Sequence, residues 1–265
     1  DSMSIEKLGA SPILPELAKV ASATSLEDII SEAAIMRTQG LGSPLFSFYV
    51  GQDRKEATKL IAQLGQGGTT LPDRDYYLKA DARTLKIQDA YKKYITQLFV
   101  LSGSMDELAK KNAETIFAIE KALATAQMSR VEMRDPYKTY NKFSVADFAK
   151  TTPNMNWATL LPKMKVSGQD TMLVGAPKFF TDLNALLVAT PVADWKTYLQ
   201  WNVLKTSAPY LSSAFVNANF AFTQVLSGQK VQTPRWQRMS QLTDGTLGEL
   251  LGQLYVEKHF KPEAK

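Results

Sequence analysis

The sequence has no cysteine and one histidine, His259, in 265 residues. Without thiols there is no disulfide, no thiol nucleophile and no thiolate metal site. One imidazole cannot furnish the histidines of an ordinary catalytic zinc site, and Ser-His-Asp chemistry would have only His259 to draw on. Its setting, "VEKHFKPEAK", reads instead as the solvated last turn of a helix, where a basic side chain meets the negative end of the helix dipole. The expectation is therefore that this chain holds no catalytic, cofactor-binding or metal-ligating residues. Long apolar runs are missing as well. No stretch of about 18 apolar residues occurs, so no segment is expected to span a membrane. The start lacks the basic-then-apolar pattern of a signal peptide, and "DSMSIEKLG" reads as the middle of a longer chain. Internal repeats, low-complexity tracts and long linkers are absent too.

Charge is moderate and uneven. Residues 1–132 carry 16 Lys+Arg against 17 Asp+Glu, while residues 133–265 carry 15 against 9, and the whole chain has a net charge of +5. The surplus is scattered, without a block of five or six like charges, so nucleic-acid binding is not expected. Hydrophobic residues make up 45% of the chain, enough for the core of one large domain or two ordinary ones.

Most of the chain keeps a helical period. Ser25 opens "SLED" with Asp28 three residues on, a capping-box start for Leu26, Ile29, Ile30, Ala33 and Met36, and Gly40 and Gly42 close that helix. The period then changes. "PLFSFYV" (44–50), "DRKE" (53–56) and "TKLIAQL" (58–64) predict a β-hairpin with a loop of four to seven residues. From Asp81 a helical stripe returns with Ile87, Tyr91, Tyr94, Leu98 and Leu101. Ser104 and Glu107 spell a second capping box before Ile116, Ile119, Leu123 and Ala126, and the two helices should form an antiparallel pair. Pro136 interrupts the pattern near "RDPYKTYNKFS" (134–144). Ser144 and Asp147 cap a short helix, Trp157 and Leu160 belong to another, and "DTMLVGAP" (170–177) reads as an isolated short strand before Pro177 begins the next helix. A run from Asp194 to Leu204 breaks near Ser207–Pro209. Thr233 and Pro234 then supply a cap and first turn for a last helix ending near Glu257. In that helix Gly245, Gly248 and Gly252 share one side, which fits either close approach of another backbone or ligand, or a break near Asp244–Gly245.

One stretch is unlike a disposable loop. "LGQGGTTLPDRDYYL" (64–78) places Tyr76, Tyr77 and Leu78 directly after three charges. The expected reading is architectural: Asp73, Arg74 and Asp75 satisfy local backbone and one another, while the tyrosines and leucine pack.

With its neighbours this stretch resembles the neprilysin family of zinc metallopeptidases, which includes the endothelin-converting enzymes and bacterial oligopeptidase O. The matching segments are "FYVGQD" (48–53), "LPDRDYYL" (71–78), "RDPYKTYNK" (134–142), "DWKTYLQWNVL" (194–204), "RWQRMSQLTDGTLGELLGQLYVEKHF" (235–260) and the closing "AK" (264–265), in family order across most of the chain. Two departures stand out. Thr69 and Thr70 replace the usual leucine-glycine pair before "LP", and Met239 stands where animal relatives place a disulfide cysteine, as in a cysteine-free bacterial branch.

The resemblance implies a mainly α, two-lobed peptidase with a minor β-hairpin, of which residues 1–137 are the N-terminal part of the catalytic lobe and 138–265 most of the helical capping lobe. It also implies zinc in the intact parent enzyme, held by an HExxH helix and a downstream glutamate beyond the end of this chain, with none bound by this chain. There the metal would acidify a water and polarise a peptide carbonyl. The implied partners are the missing C-terminal catalytic segment and short peptide substrates admitted to a closed chamber. By itself the chain is expected to be inactive, to form chamber wall and size-selecting cap, and to show apolar patches where its missing partners would sit. Its implied location is periplasmic, cell-surface or secreted. The alternatives are a free-standing helical peptide- or protein-binding module derived from the cap, and a basic interaction surface.

Overall fold

The computed structural model describes residues 2–261; the closing Ala264–Lys265 match lies outside the described residues. Three helices, α1 (Ser2–Leu8), α2 (Leu14–Ala21) and α3 (Leu26–Thr38), precede a hairpin of β1 (Phe46–Asp53) and β2 (Glu56–Gln66). One helical turn, α4 (Asp75–Leu78), leads to the long pair α5 (Ala82–Leu101) and α6 (Asp106–Ala126). Then come α7 (Arg130–Met133), β3 (Asn141–Ser144), α8 (Val145–Thr151), α9 (Trp157–Lys163) and β4 (Thr171–Val174). The series α10 (Pro177–Ala189), α11 (Val192–Ser207), α12 (Ser213–Ser227) and α13 (Arg235–His259) completes the fold. The mainly helical class expected from the sequence is what the chain adopts.

Residues up to Leu226 make one compact unit and those from Ser227 a second. Residue 137, the sequence-based division, lies inside the first unit, because β3 and β4 from beyond it complete the sheet begun by β1 and β2.

That sheet corrects two expectations. The hairpin loop is only Arg54–Lys55, since β1 continues to Asp53 and β2 resumes at Glu56, with a register irregularity at Gln52–Asp53. "DTMLVGAP" is not isolated either. β4 runs parallel to β2, with Ala62 opposite Met172 and Leu64 opposite Val174, and antiparallel to β3. The order is β1-β2-β4-β3. A four-residue strand can bury Met172, Leu173 and Val174 only when neighbours on both sides take up its backbone groups.

Side-chain caps mark where α3, α5, α7 and α8 begin. At α3, Ser25 Oγ accepts from Asp28 N (3.1 Å), and Asp28 Oδ2 accepts from Ser25 N (3.0 Å) and Thr24 N (2.9 Å). The Thr24 amide, then Ser25, hold the Asp28 carboxyl down at about 2. A carboxyl depressed in the fold stabilises it fully above the ordinary 3.8 and loses that contribution as pH falls towards 2. Titration of Asp28 followed by carboxyl carbon NMR should therefore give a midpoint near 2 in wild type. In Ser25→Ala it should move up towards 3.8, with the helix start weakened by about 1 kcal/mol.

The second capping box does not form. α6 starts one residue later than the Ser104 reading, with Met105 at the cap, no side-chain cap bond, and Glu107 paired to Lys110 at 3.1 Å instead. At α13 the same one-residue shift puts Pro234 rather than Thr233 at the cap.

One core runs through the first unit. α11 is its axis and buries Trp195, Tyr198, Leu199, Trp201, Val203 and Leu204. Trp157, Phe148, Phe180 and Phe46 cluster beside the sheet with ring centroids 5.3–6.1 Å apart. Tyr91 and Tyr94 of α5 meet Trp201 of α11 edge-on, and Phe222 of α12 stacks on Tyr94 at 5.0 Å. α5 and α6 lie side by side, tied across their outer face by Lys92 Nζ and Glu114 at 2.7 Å.

In the second unit α13 is unbroken from Arg235 to His259, so the alternative of a break near Asp244–Gly245 is absent. A Cβ at Gly245 or Gly252 would meet nothing within 4 Å, and at Gly248 only Asp244 Oδ1 at 3.8 Å. The small-residue side is open, and nothing described packs closely against it.

Candidate functional site

The glycine pair of the 64–78 stretch is there because two backbones pass closer than a side chain allows. A Cβ on Gly67 would stand 2.8 Å from Ser47 N and 2.9 Å from the Phe46 carbonyl carbon. Gly68 has a φ of +81°, and a Cβ there would meet Leu123 Cδ1 at 2.7 Å, Leu45 O at 3.0 Å and Tyr198 Oη at 3.1 Å. The segment thus threads between β1, α6 and α11. Tyr198 Oη donates to Gly68 O at 2.6 Å, and Gln127 Nε2 donates to Gly67 O at 3.0 Å.

Beyond the glycines the chain turns around a buried carboxylate. Glu120 of α6 has no solvent exposure. Tyr77 of α4 donates to its Oε2 at 2.6 Å, Tyr91 of α5 to the same oxygen at 2.7 Å, and Thr70 Oγ1 to Oε1 at 2.7 Å. Tyr77 Oη in turn accepts from Thr70 N (2.9 Å) and Leu71 N (2.8 Å). Thr70 Oγ1 accepts from Lys205 Nζ (2.9 Å) and Trp201 Nε1 (3.3 Å). Burial, then the Glu120 charge, pushes the Tyr77 and Tyr91 phenols well above their usual range. Burial pulls the Lys205 ammonium down, and Glu120 opposes that shift.

The charges that follow have separate duties. Asp73 Oδ1 accepts from Asp75 N (2.8 Å) to start α4, and its Oδ2 pairs with Arg130 Nε at 2.5 Å. Arg74 does not bond the aspartates as expected; its guanidinium donates to Gln127 O, because it projects towards the end of α6. Tyr77 is buried and Tyr76 and Leu78 pack on the core, as the sequence implied.

A second polar cluster locks the hairpin tip. Asp53 is 1% exposed and accepts from Lys55 N (2.9 Å), Tyr140 Oη (2.8 Å) and Lys142 Nζ (3.0 Å). The Lys55 amide first, then Lys142 and Tyr140, hold its carboxyl well below the usual carboxylate range. Arg54 donates to Thr139 O and Oγ1, and Lys55 Nζ lies 4.4 Å from the Tyr140 ring centre. "FYVGQD" and "RDPYKTYNK" are thus partners in space, and "DWKTYLQWNVL" meets the residues just before "LPDRDYYL", Gly68 and Thr70.

Among the described residues no group of three or more His, Cys, Asp or Glu side chains is placed to hold a metal ion, so these residues do not fit a zinc site. His259 ends α13, exposed, its ring 4.7 Å from that of Tyr255.

The profile of peptidase family M13 matches residues 1–265, the whole chain. The chain belongs to peptidase family M13. Mouse (Mus musculus) endothelin-converting enzyme 1 is 29% identical over 98% of this chain and 34% of its own length. Neprilysin-2 of Drosophila melanogaster is 29% identical over 86% of this chain and 31% of its own. The open state of the Mycobacterium tuberculosis zinc metalloprotease Zmp1 superposes with a TM-score of 0.93 and 28% identity, covering 100% of this chain and 41% of that one. The M13 chain therefore spans about a third of these curated relatives. The family membership implied by the ordered motifs is borne out. Sequence reasoning missed Glu120 and Lys205. The signal was present: Glu120 sits four residues after Ile116 and three before Leu123, a lone charge on the apolar stripe of α6.

Proposed function

We propose that this chain is the non-catalytic portion of an M13 zinc metalloendopeptidase that hydrolyses short peptides inside a closed two-lobed chamber. The chain contributes to the catalytic lobe and to the cap, and makes chamber wall and size filter. Zinc is bound by a segment outside the chain, which is also its principal partner, and the intact protein works in the periplasm, at the cell surface or as a secreted enzyme.

The observation that carries this reading is the unequal coverage. All of this chain aligns with Zmp1, yet only 41% of Zmp1 aligns with this chain. The exposed apolar side chains of α13 agree with a missing partner: Trp236 is 72% exposed, Leu250 57% and Leu254 62%. Expression of the complete reading frame should give hydrolysis of a short fluorogenic peptide that a zinc chelator abolishes, and the 265-residue chain alone should give none. Chelator-sensitive hydrolysis by the short chain would refute the proposal. A reading frame that stops at Lys265 would also refute it, in favour of a free-standing helical binding module.

A further inference from the structure

Glu120 and Lys205 are an acid and a base on different helices of the core, and the link between them is a single side chain. Proton bookkeeping defines that link. Tyr77 Oη spends both lone pairs on the amides of Thr70 and Leu71, so its own proton points to Glu120 Oε2. Thr70 Oγ1 likewise accepts from Lys205 and Trp201, so its proton points to Glu120 Oε1. Tyr91 Oη gives Oε2 a further bond. A group that takes hydroxyl protons on both oxygens and gives none is a carboxylate, and Lys205 Nζ is the cation facing it across the threonine oxygen.

We propose that Thr70 is a hydroxyl relay joining the buried Glu120 and the half-buried Lys205 into one ion pair, a latch that closes the 67–78 segment onto α6 and α11. The latch acts on the segment because the residue carrying the relaying hydroxyl also donates its amide to Tyr77. Opening the segment withdraws the hydroxyl and leaves a buried carboxylate cut off from the half-buried ammonium, which is unfavourable. The threonine is thus required for its oxygen and not for its volume.

Two substitutions separate those roles in the full-length protein. Thr70→Ser keeps the hydroxyl, and Thr70→Val keeps the volume and removes it. Amide hydrogen exchange of the peptide covering residues 67–78, read by mass spectrometry, should stay close to wild type in Thr70→Ser. In Thr70→Val it should accelerate by roughly 10–100-fold, the range set by unsatisfied buried groups. The coupling is read separately by exchange in Glu120→Gln, Lys205→Met and the double variant. A relay makes the double variant no faster than the faster single one, because the pair is lost once. Equal exchange in Thr70→Ser and Thr70→Val, or multiplicative acceleration by the Glu120 and Lys205 changes, would overturn the proposal. If Thr70→Val does not fold, the Glu120 and Lys205 comparison decides alone.

Discussion

Gly68→Ala will cost this chain about 2–5 kcal/mol, because left-handed strain and overpacking fall on one residue. The φ of +81° already disfavours any Cβ. The new atom would also stand 3.0 Å from Leu45 O and 3.1 Å from Tyr198 Oη, and both are held in place. Tyr198 cannot retreat without giving up its 2.6 Å bond to Gly68 O, and Leu45 O belongs to the backbone entering β1. Only Leu123 Cδ1, the end of a flexible side chain, could give way. Gly40 is the matched control. Its φ is +75°, but a Cβ there meets nothing within 4 Å. Gly40→Ala should therefore show the strain alone, about 1 kcal/mol. The two chemical-denaturation midpoints should differ accordingly. Equal midpoints would mean that close approach is not what Gly68 provides.

The contrast between those glycines marks how far the sequence could be read. Gly40 ends a helix, and a helix end is written locally: an apolar stripe stops, and a residue tolerant of left-handed backbone follows. The same local grammar located α3 with its Ser25–Asp28 box, α5 after Asp81, α8 behind Ser144 and α10 from Pro177. Nothing in the sequence around Gly68 states its requirement. Its requirement comes from Leu45, Leu123 and Tyr198, which lie 23 to 130 residues away along the chain. No local pattern encodes such a distance. The missed strand β3 and the parallel pairing of β4 with β2 failed for the same reason. Each has four residues, too few to display a period, and their order in the sheet is fixed by partners across a long crossover.

Two further misreadings were smaller and have a shared cause. Ser104 and Thr233 both have the side chain of a good cap, and in both cases the helix begins one residue later. At α6 that places Glu107 too early in the first turn to reach back to the cap, and Lys110 takes it instead. At α13 an extended Pro234 occupies the cap position. Matching a motif fixes which residues are competent, and the entering backbone decides which of them serves.

The family motifs were legible for a physical reason that the structure supplies. "LPDRDYYL" persists as a recognisable string because nearly every position has a distant partner: Asp73 has Arg130, Arg74 has the end of α6, and Tyr77 has Glu120. Its partners had no string of their own. Glu120 and Lys205 sit among ordinary helical residues; only its place on a buried face sets Glu120 apart, and Lys205 is half-buried in the last turn of α11.

Glu120→Ala should consequently be among the most damaging single changes in the chain, about 3–5 kcal/mol, although it removes no large apolar group. The loss comes from what stays behind. Tyr77, Tyr91 and Thr70 each keep a hydroxyl proton with its acceptor gone, and Lys205 keeps a charge facing an empty site. Rotation cannot rescue Tyr77, whose oxygen is fixed by two backbone amides. Glu120→Gln should cost less, because the amide oxygen still accepts, although its nitrogen then confronts donors. Tyr91→Phe should cost less again, since it deletes a donor and leaves Glu120 with bonds from Tyr77 and Thr70. The expected order of denaturation midpoints is wild type, Tyr91→Phe, Glu120→Gln, Glu120→Ala. A Glu120→Ala midpoint at or above that of Tyr91→Phe would show that the buried carboxylate does not organise this part of the core.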